Sequence, residues 1–152
     1  MTQYWLMKSE PSTYSIDDLY RDKVTPWEGI RNYQARNFMR DQMKIGDRIL
    51  FYHSNAKPPG VAGLAEVCRL AYPDHFARDN RSDYFDPKST PEKPIWMMVD
   101  VKFIKKFTTF ISLEQLKADS QLQDMMVIKR GARLSIQPVT KDNYTYIAQW
   151  GA

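Results

Sequence analysis

Four short polar clusters hold the residue types from which a binding site is made. The first is Lys8-Ser9-Glu10-Pro11. The second runs from Trp27 to Asn37 and combines Trp27, Gly29, Arg31, Asn32 and Tyr33 with further amides and arginine. The third is Tyr52-His53-Ser54-Asn55, and the fourth runs from Lys129 to Pro138, with Arg133, Ser135 and Gln137. A flat ligand can stack on Trp or Tyr, which for a base is worth ~1–3 kcal/mol. Asn, Ser and backbone groups read a base edge, and Arg and Lys hold the adjoining phosphates. An extruded nucleobase requires this combination of aromatic slot, edge-reading amides and basic rim. A nucleoside, a modified amino acid or a peptide would draw on the same types. Taken singly, each cluster also reads as a solvated loop or a set of caps.

Signals for catalysis and metal binding are weaker. His53 and His75 are the only histidines, and no HExxH, CxxC or Asp-rich cation loop occurs. Neither common glycine-rich phosphate loop is present, nor a Gly-x-Ser-x-Gly elbow. No catalytic residue, metal site or cofactor is therefore assigned. His53 or Asp86 are the candidates for acid–base work if the chain were an enzyme acting on a modified nucleotide. Cys68 reads as a small core filler in mid-strand.

The elements that must position these clusters follow from patterning. Tyr4–Lys8 predicts a strand that Glu10-Pro11 ends. Ser15 is an N-cap for a short helix with Asp17 and Asp18 in its first turn. A second helix is expected over 34–43, with Phe38 and Met39 inward. Strands are expected at Arg48–His53 and Val61–Leu70. Gly60, Ala62, Gly63 and Ala65 allow a backbone or a ligand to approach the latter closely. Residues 71–94 form the longest irregular stretch, and 95–107 alternates as a strand. Ser112–Leu116 opens a helix with a capping box. Arg133–Gln137 predicts a strand stopped by Pro138. Thr140 caps a last helix reaching about Gln149. Five or six scattered strands and four short helices favour a mixed α+β domain around a small, strongly bent sheet or barrel. The clusters lie at strand ends and connections, where rigid scaffolds present sites.

Composition fits one domain spanning 1–152. Of its 152 residues, 43% are hydrophobic and 26% charged, which excludes wholesale disorder. No apolar run approaches a membrane span, and the N-terminus lacks the pattern of a secretory signal. One cysteine excludes an internal disulfide and suits a reducing compartment, the cytoplasm or nucleus. The net charge of +4 suits a polyanion. It is unevenly spread: 31–60 and 101–152 are each net +4, and the other two stretches are each net −2.

Read in order, "YWLMKSEPSTYSIDDL", "WEGIRNYQARNFMR", "KIGDRILFYHSN", "PGVAGLAEV", "SDYFDPKS" and "RLSIQPV" closely resemble EVE-domain proteins over almost the whole chain. The resemblance implies a PUA-like fold, a pseudo-barrel with helices on its rim, akin to YTH domains that hold a methylated adenine in an aromatic cage. It implies a non-enzymatic reader of a modified base, with modified cytosine in DNA favoured over RNA. A small-molecule or nucleotide sensor is the alternative. Carried onto this chain, it makes Trp27 the aromatic wall, with Lys8 and Ser9 at the border. Gly29, Arg31, Asn32 and Tyr33 would form the lip, Arg31 being the phosphate contact. Tyr52, His53, Ser54 and Asn55 would close another side, with Ser54 and Asn55 reading the base edge. Asp86 would order its loop. The lack of a basic segment before Tyr4 resembles a bacterial stand-alone domain, and so a cytoplasmic one.

Overall fold

The computed structural model describes residues 2–131 and 133–152. Its centre is one mixed sheet built from β1 (Tyr4–Ser9), β2 (Val24–Pro26), β3 (Arg48–His53), β4 (Gly60–Pro73), β5 (Met97–Ser112) and β6 (Ile136–Val139). The strand order is β2-β5-β4-β3-β1-β6. β1 and β3 are parallel and every other pair is antiparallel. The sheet is bent and open: β2 and β6 are its two edges and do not pair, so the barrel alternative is not realised. Register shifts between Phe51 and Tyr52 and at four places along β4 supply the bend, because each bulge kinks and twists its strand.

β1 and β3 read as nearly unbroken apolar runs because both faces are covered. Trp5, Met7, Ile49 and Phe51 enter a core with Ile16, Leu19, Trp27, Ala35 and Met39. Leu6, Leu50 and Tyr52 point the other way, into a core with Leu116, Leu122, Val127 and Ile147. Helices α1 (Ile16–Asp22) and α2 (Tyr33–Asn37) therefore serve one face of the sheet, and α3 (Leu113–Ala118) and α4 (Lys141–Gly151) the other.

Local chemistry sets the helix starts. Ser15 and Asp18 form a capping box on α1, as Ser112 and Gln115 do on α3. The Thr140 side chain caps α4. α2 is shorter than expected: after Asn37 the chain widens into a π-helical turn over Phe38–Gln42, closed by Met43 N–H donating to the Phe38 carbonyl at 2.9 Å. That turn keeps Met39 fully buried.

Two expectations are corrected, one strand is added, and one pair of alternatives is resolved. Pro138 lies inside β6, opposite Trp5, and does not stop it. An edge strand tolerates proline because one side of its backbone needs no ladder partner. Arg133 and Ser135 precede the strand, joined to the sheet by Lys8 N–H donating to the Ser135 carbonyl at 2.9 Å. β2 was not expected; three residues ending in proline carry no period. Finally, a Cβ at Gly60 or Gly63 would overlap the carbonyls of Ile111 and Lys105, so these glycines admit the β5 backbone and not a ligand.

Candidate nucleic-acid interface

A recess of about 450 Å³ opens on the α1–α2 side of the sheet. That is the scale of a small-molecule pocket. Six of the residues expected from sequence line it: Lys8, Ser9, Trp27, Gly29, Arg31 and Asn32.

Trp27 leaves β2 with its backbone N–H bonded to the Val99 carbonyl at 2.7 Å. Its ring stands edge-on to Phe51, centroids 5.6 Å apart and planes at 86°, which fixes the indole as a buried wall. The Ser9 hydroxyl donates to the Tyr14 carbonyl at 2.5 Å, so its lone pairs remain to accept from a ligand. Asn32 accepts the Ala35 N–H at 2.9 Å through Oδ1, capping α2. That leaves the amide NH₂ as the donor end.

Gly29 and Arg31 are held by a buried carboxylate. Asp74, 1% exposed, accepts from Gly29 N–H at 2.9 Å, from the Arg31 guanidinium at 3.1 Å and from Phe76 N–H at 2.9 Å. Two further Arg31 nitrogens donate to the Tyr84 carbonyl, at 3.0 and 2.6 Å. With its side chain 23% exposed and its donors so engaged, Arg31 braces the lip. The phosphate contact expected of it has no free donor fork to rest on. Gly29 adopts φ +80°, and its α-carbon sits against the Tyr84 ring.

Thr13, Tyr14, Thr25 and Pro26 line the recess without having been expected there, and so does Tyr84. It sits in "SDYFDPKS", where only Asp86 was considered. Asp86 accepts from Trp96 Nε1 at 2.7 Å and from Lys88 N–H at 3.0 Å. These bonds, the indole's first, draw the Asp86 carboxyl below the ordinary carboxylate range. The loop between β4 and β5 is thereby ordered, and it carries Tyr84 over Gly29. Glu28 also lines the recess; burial first, then the Asp74 charge, raises its carboxyl, against a smaller opposing pull from His75.

The third cluster is used differently from the sequence expectation. His53 Nε2 accepts the Ile16 N–H at 3.1 Å at the start of α1, and the ring rests between Phe51 and Phe110. Burial lowers its pKa, Asp17 raises it less, and Lys106 lowers it. Ser54 N–H donates to the Ser9 carbonyl at 3.0 Å. Asn55 turns the chain at φ +50° with its amide 3.3 Å from Glu10. None of these three lines the recess. Tyr33 also lies outside it, exposed and stacked 4.9 Å from Trp96.

Tyr52 lines a second recess, of about 350 Å³, on the opposite face of the sheet. Burial pushes its hydroxyl up to about 12. Lys8 borders both recesses, its ammonium 5.8 Å from the Tyr52 ring and its pKa lowered by burial. Among the described residues no three His, Cys, Asp or Glu side chains converge as metal ligands would. No helix among the described residues is long and apolar enough to cross a membrane.

Known proteins share this architecture over its full length. Human thymocyte nuclear protein 1 is 41% identical over 97% of this chain and 73% of its own. A hypothetical protein from Leishmania major superposes with a TM-score of 0.94 at 54% identity, covering 99% of this chain and 95% of that one. The human THYN1 protein in complex with 5-methylcytosine-containing DNA superposes with a TM-score of 0.91 at 40% identity, covering 99% and 98%. The EVE domain model matches residues 3–150, and the chain belongs to the EVE domain family.

Proposed function

We propose that this protein is a non-enzymatic reader of modified cytosine in DNA, holding the extruded base in the Trp27 recess. The observation that carries the reading is the recess itself: a buried indole wall beside the Ser9 acceptor, the Asn32 amide and the Glu28 carboxyl. Carboxylates accept from the cytosine N4 amino group, and the neutral groups complete an edge reader. The related human protein, whose structure contains 5-methylcytosine DNA, supports the choice of base. The acid–base candidates support the non-enzymatic reading: His53 spends its free nitrogen on the Ile16 N–H, and Asp86 spends its carboxylate on Trp96 and Lys88. Cys68 is an unpaired thiol, which suits a reducing compartment, and we place the protein in the cytoplasm.

The test is fluorescence anisotropy with matched duplexes carrying cytosine or 5-methylcytosine. Trp27→Ala is expected to remove the preference for the methylated probe and to weaken binding by about fivefold to 150-fold if ~1–3 kcal/mol of stacking goes. Because Trp27 also packs on Phe51, Asn32→Asp is the companion variant. It retains the oxygen that caps α2 and replaces the amide donor by an acceptor. Unchanged preference in both folded variants would refute the assignment.

A further inference from the structure

The second recess has a composition the base pocket does not explain. It is lined by five basic side chains, Lys8, Lys117, Lys129, Arg130 and Arg133, and by no acidic one. Its floor is apolar, formed by Tyr52, Leu113, Val127 and Ile128. Lys117, Lys129, Arg130 and Arg133 are exposed, and none takes part in an ion pair among the described residues. Elsewhere Arg21, Arg40, Arg69, Arg81, Lys102 and Lys106 each face a carboxylate within 4.0 Å. The exposed cations outside the groove that make no ion pair among the described residues, such as Lys44, Lys57, Arg78 and Lys88, line neither recess.

The two recesses also share a border. Lys8 borders both. Ser135 lines the base pocket and Arg133, two residues earlier, lines the basic groove. Lys8 N–H donates to the Ser135 carbonyl, so the residue bordering both recesses is tied to the wall of the first. Gly131 lies in the groove at φ +81°, and nothing stands within 4 Å of where a Cβ would be. The backbone there is open to a close-approaching oxygen anion.

We infer that this groove is the track for the DNA phosphate backbone flanking the base held in the first recess. The inference rests on the reader proposed above and adds the part that reading lacked, since Arg31 is committed to Asp74 and Tyr84. The four exposed cations Lys117, Lys129, Arg130 and Arg133, which make no ion pair among the described residues, gain most from phosphates, because each contact releases condensed counterions. Lysine and arginine contacts of this kind fix position on the strand and carry no base information. The base pocket therefore selects the modification, and the groove supplies most of the affinity and its salt dependence.

The experiment is a salt series of anisotropy titrations on the full chain, with a duplex carrying one central 5-methylcytosine and its unmodified match. The triple variant Lys117→Ala/Lys129→Ala/Arg133→Ala leaves Lys8 intact because it borders both recesses. It is expected to weaken both duplexes by the same factor, about tenfold or more at low salt. The slope of log K against log salt should shrink by roughly 1 per side chain removed, while the ratio of methylated to unmethylated affinity stays unchanged. A control triple, Arg21→Ala/Arg40→Ala/Arg81→Ala, removes the same charge from side chains that line neither recess. An unchanged slope in the groove variant, or an equal loss in the control, would overturn the inference. Equal wild-type binding to both duplexes, with the slope still falling in the groove variant, would overturn the base reader and leave the track standing. If the groove variant instead loses binding to anionic vesicles while keeping its DNA slope, the groove belongs to a membrane surface and the track is refuted.

Discussion

Gly29→Ala perturbs the lip of the base pocket in two separable ways. The residue sits at φ +80°, where an L side chain costs about 1–2 kcal/mol. Its Cβ would also lie 2.6–2.9 Å from three atoms of the Tyr84 ring, closer than real contacts allow. The ring is the far end of a side chain whose backbone is pinned by Ser82 and Arg31. It must therefore swing while the loop stays, an overpacking cost at the lower end of the usual range, about 1–2 kcal/mol. The total is about 2–4 kcal/mol, and at ~2–4 °C per kcal/mol for a chain of this size it should lower Tm by roughly 5–15 °C. A double-mutant cycle isolates the two parts. In a Tyr84→Ala background the ring contribution vanishes, and Gly29→Ala should cost only the backbone part. Equal costs in both backgrounds would show that Tyr84 does not pack on Gly29. No cost in either would refute the left-handed conformation itself. In binding, Gly29→Ala should reduce preference for methylated DNA and spare the salt dependence, because Tyr84 belongs to the base recess only.

Two further predictions concern the scaffold. Asp47, 1% exposed, accepts from Gln3 N–H, Trp5 Nε1 and Lys44 N–H at 2.9–3.0 Å. The Trp5 indole N–H is the buried donor of the three, and at ~1–3 kcal/mol for a buried donor left without a partner Asp47→Ala should cost about 1–3 kcal/mol or more in thermal or urea unfolding. Asp47→Asn, which keeps one oxygen, should cost less. His53 accepts a hydrogen bond as the neutral ring, and burial holds its pKa below the ordinary 6.5. Its contribution is therefore fully present above pH 6.5 and is lost as pH falls from there through the lowered folded value, where the unfolded chain binds the proton first. His53→Gln should flatten the stability-versus-pH curve in that window; an unchanged slope in Tm against pH would rule the imidazole out as its source.

Elements with a strong local signal were legible in the sequence. β1, β3 and the capped helices α1, α3 and α4 fall where apolar runs and Ser or Thr caps place them. β2 was not, since its order comes from pairing Val24–Pro26 with Asp100–Lys102, a contact remote in sequence. The pocket divides the same way. Lys8, Ser9, Trp27, Gly29, Arg31 and Asn32 were readable as polar groups at strand and helix ends. The Tyr52–Asn55 cluster looked identical by composition, yet the imidazole accepts the Ile16 N–H, the Ser54 backbone N–H pairs with Ser9, and His53, Ser54 and Asn55 stay outside the recess. Tyr84 reaches the site only because Asp74 and Asp86 fold a distant loop back onto it.

Charge followed the same rule, and there the consequence for function is largest. The stretches 31–60 and 101–152 have equal net charge, +4 each, and both suggested a polyanion contact. In the first, Arg31 is spent on Asp74 and Tyr84, Arg36 on Asn37 and the Ile95 carbonyl, and Arg40 on Asp41. In the second, Asp119 binds Tyr146 and Gln121 N–H, and Asp124 binds Asn143. Asp119 and Asp124 are thus engaged by protein partners, while Lys117, Lys129, Arg130 and Arg133 stay exposed around one groove that no acid lines. Formal charge counts both stretches alike, but a phosphate feels only charge that is not already neutralised at contact distance. The exposed cations that gather around one groove therefore lie on the α3–β6 side, and a substitution at Arg40, which faces Asp41 at 2.8 Å, should leave the salt slope of DNA binding where it was.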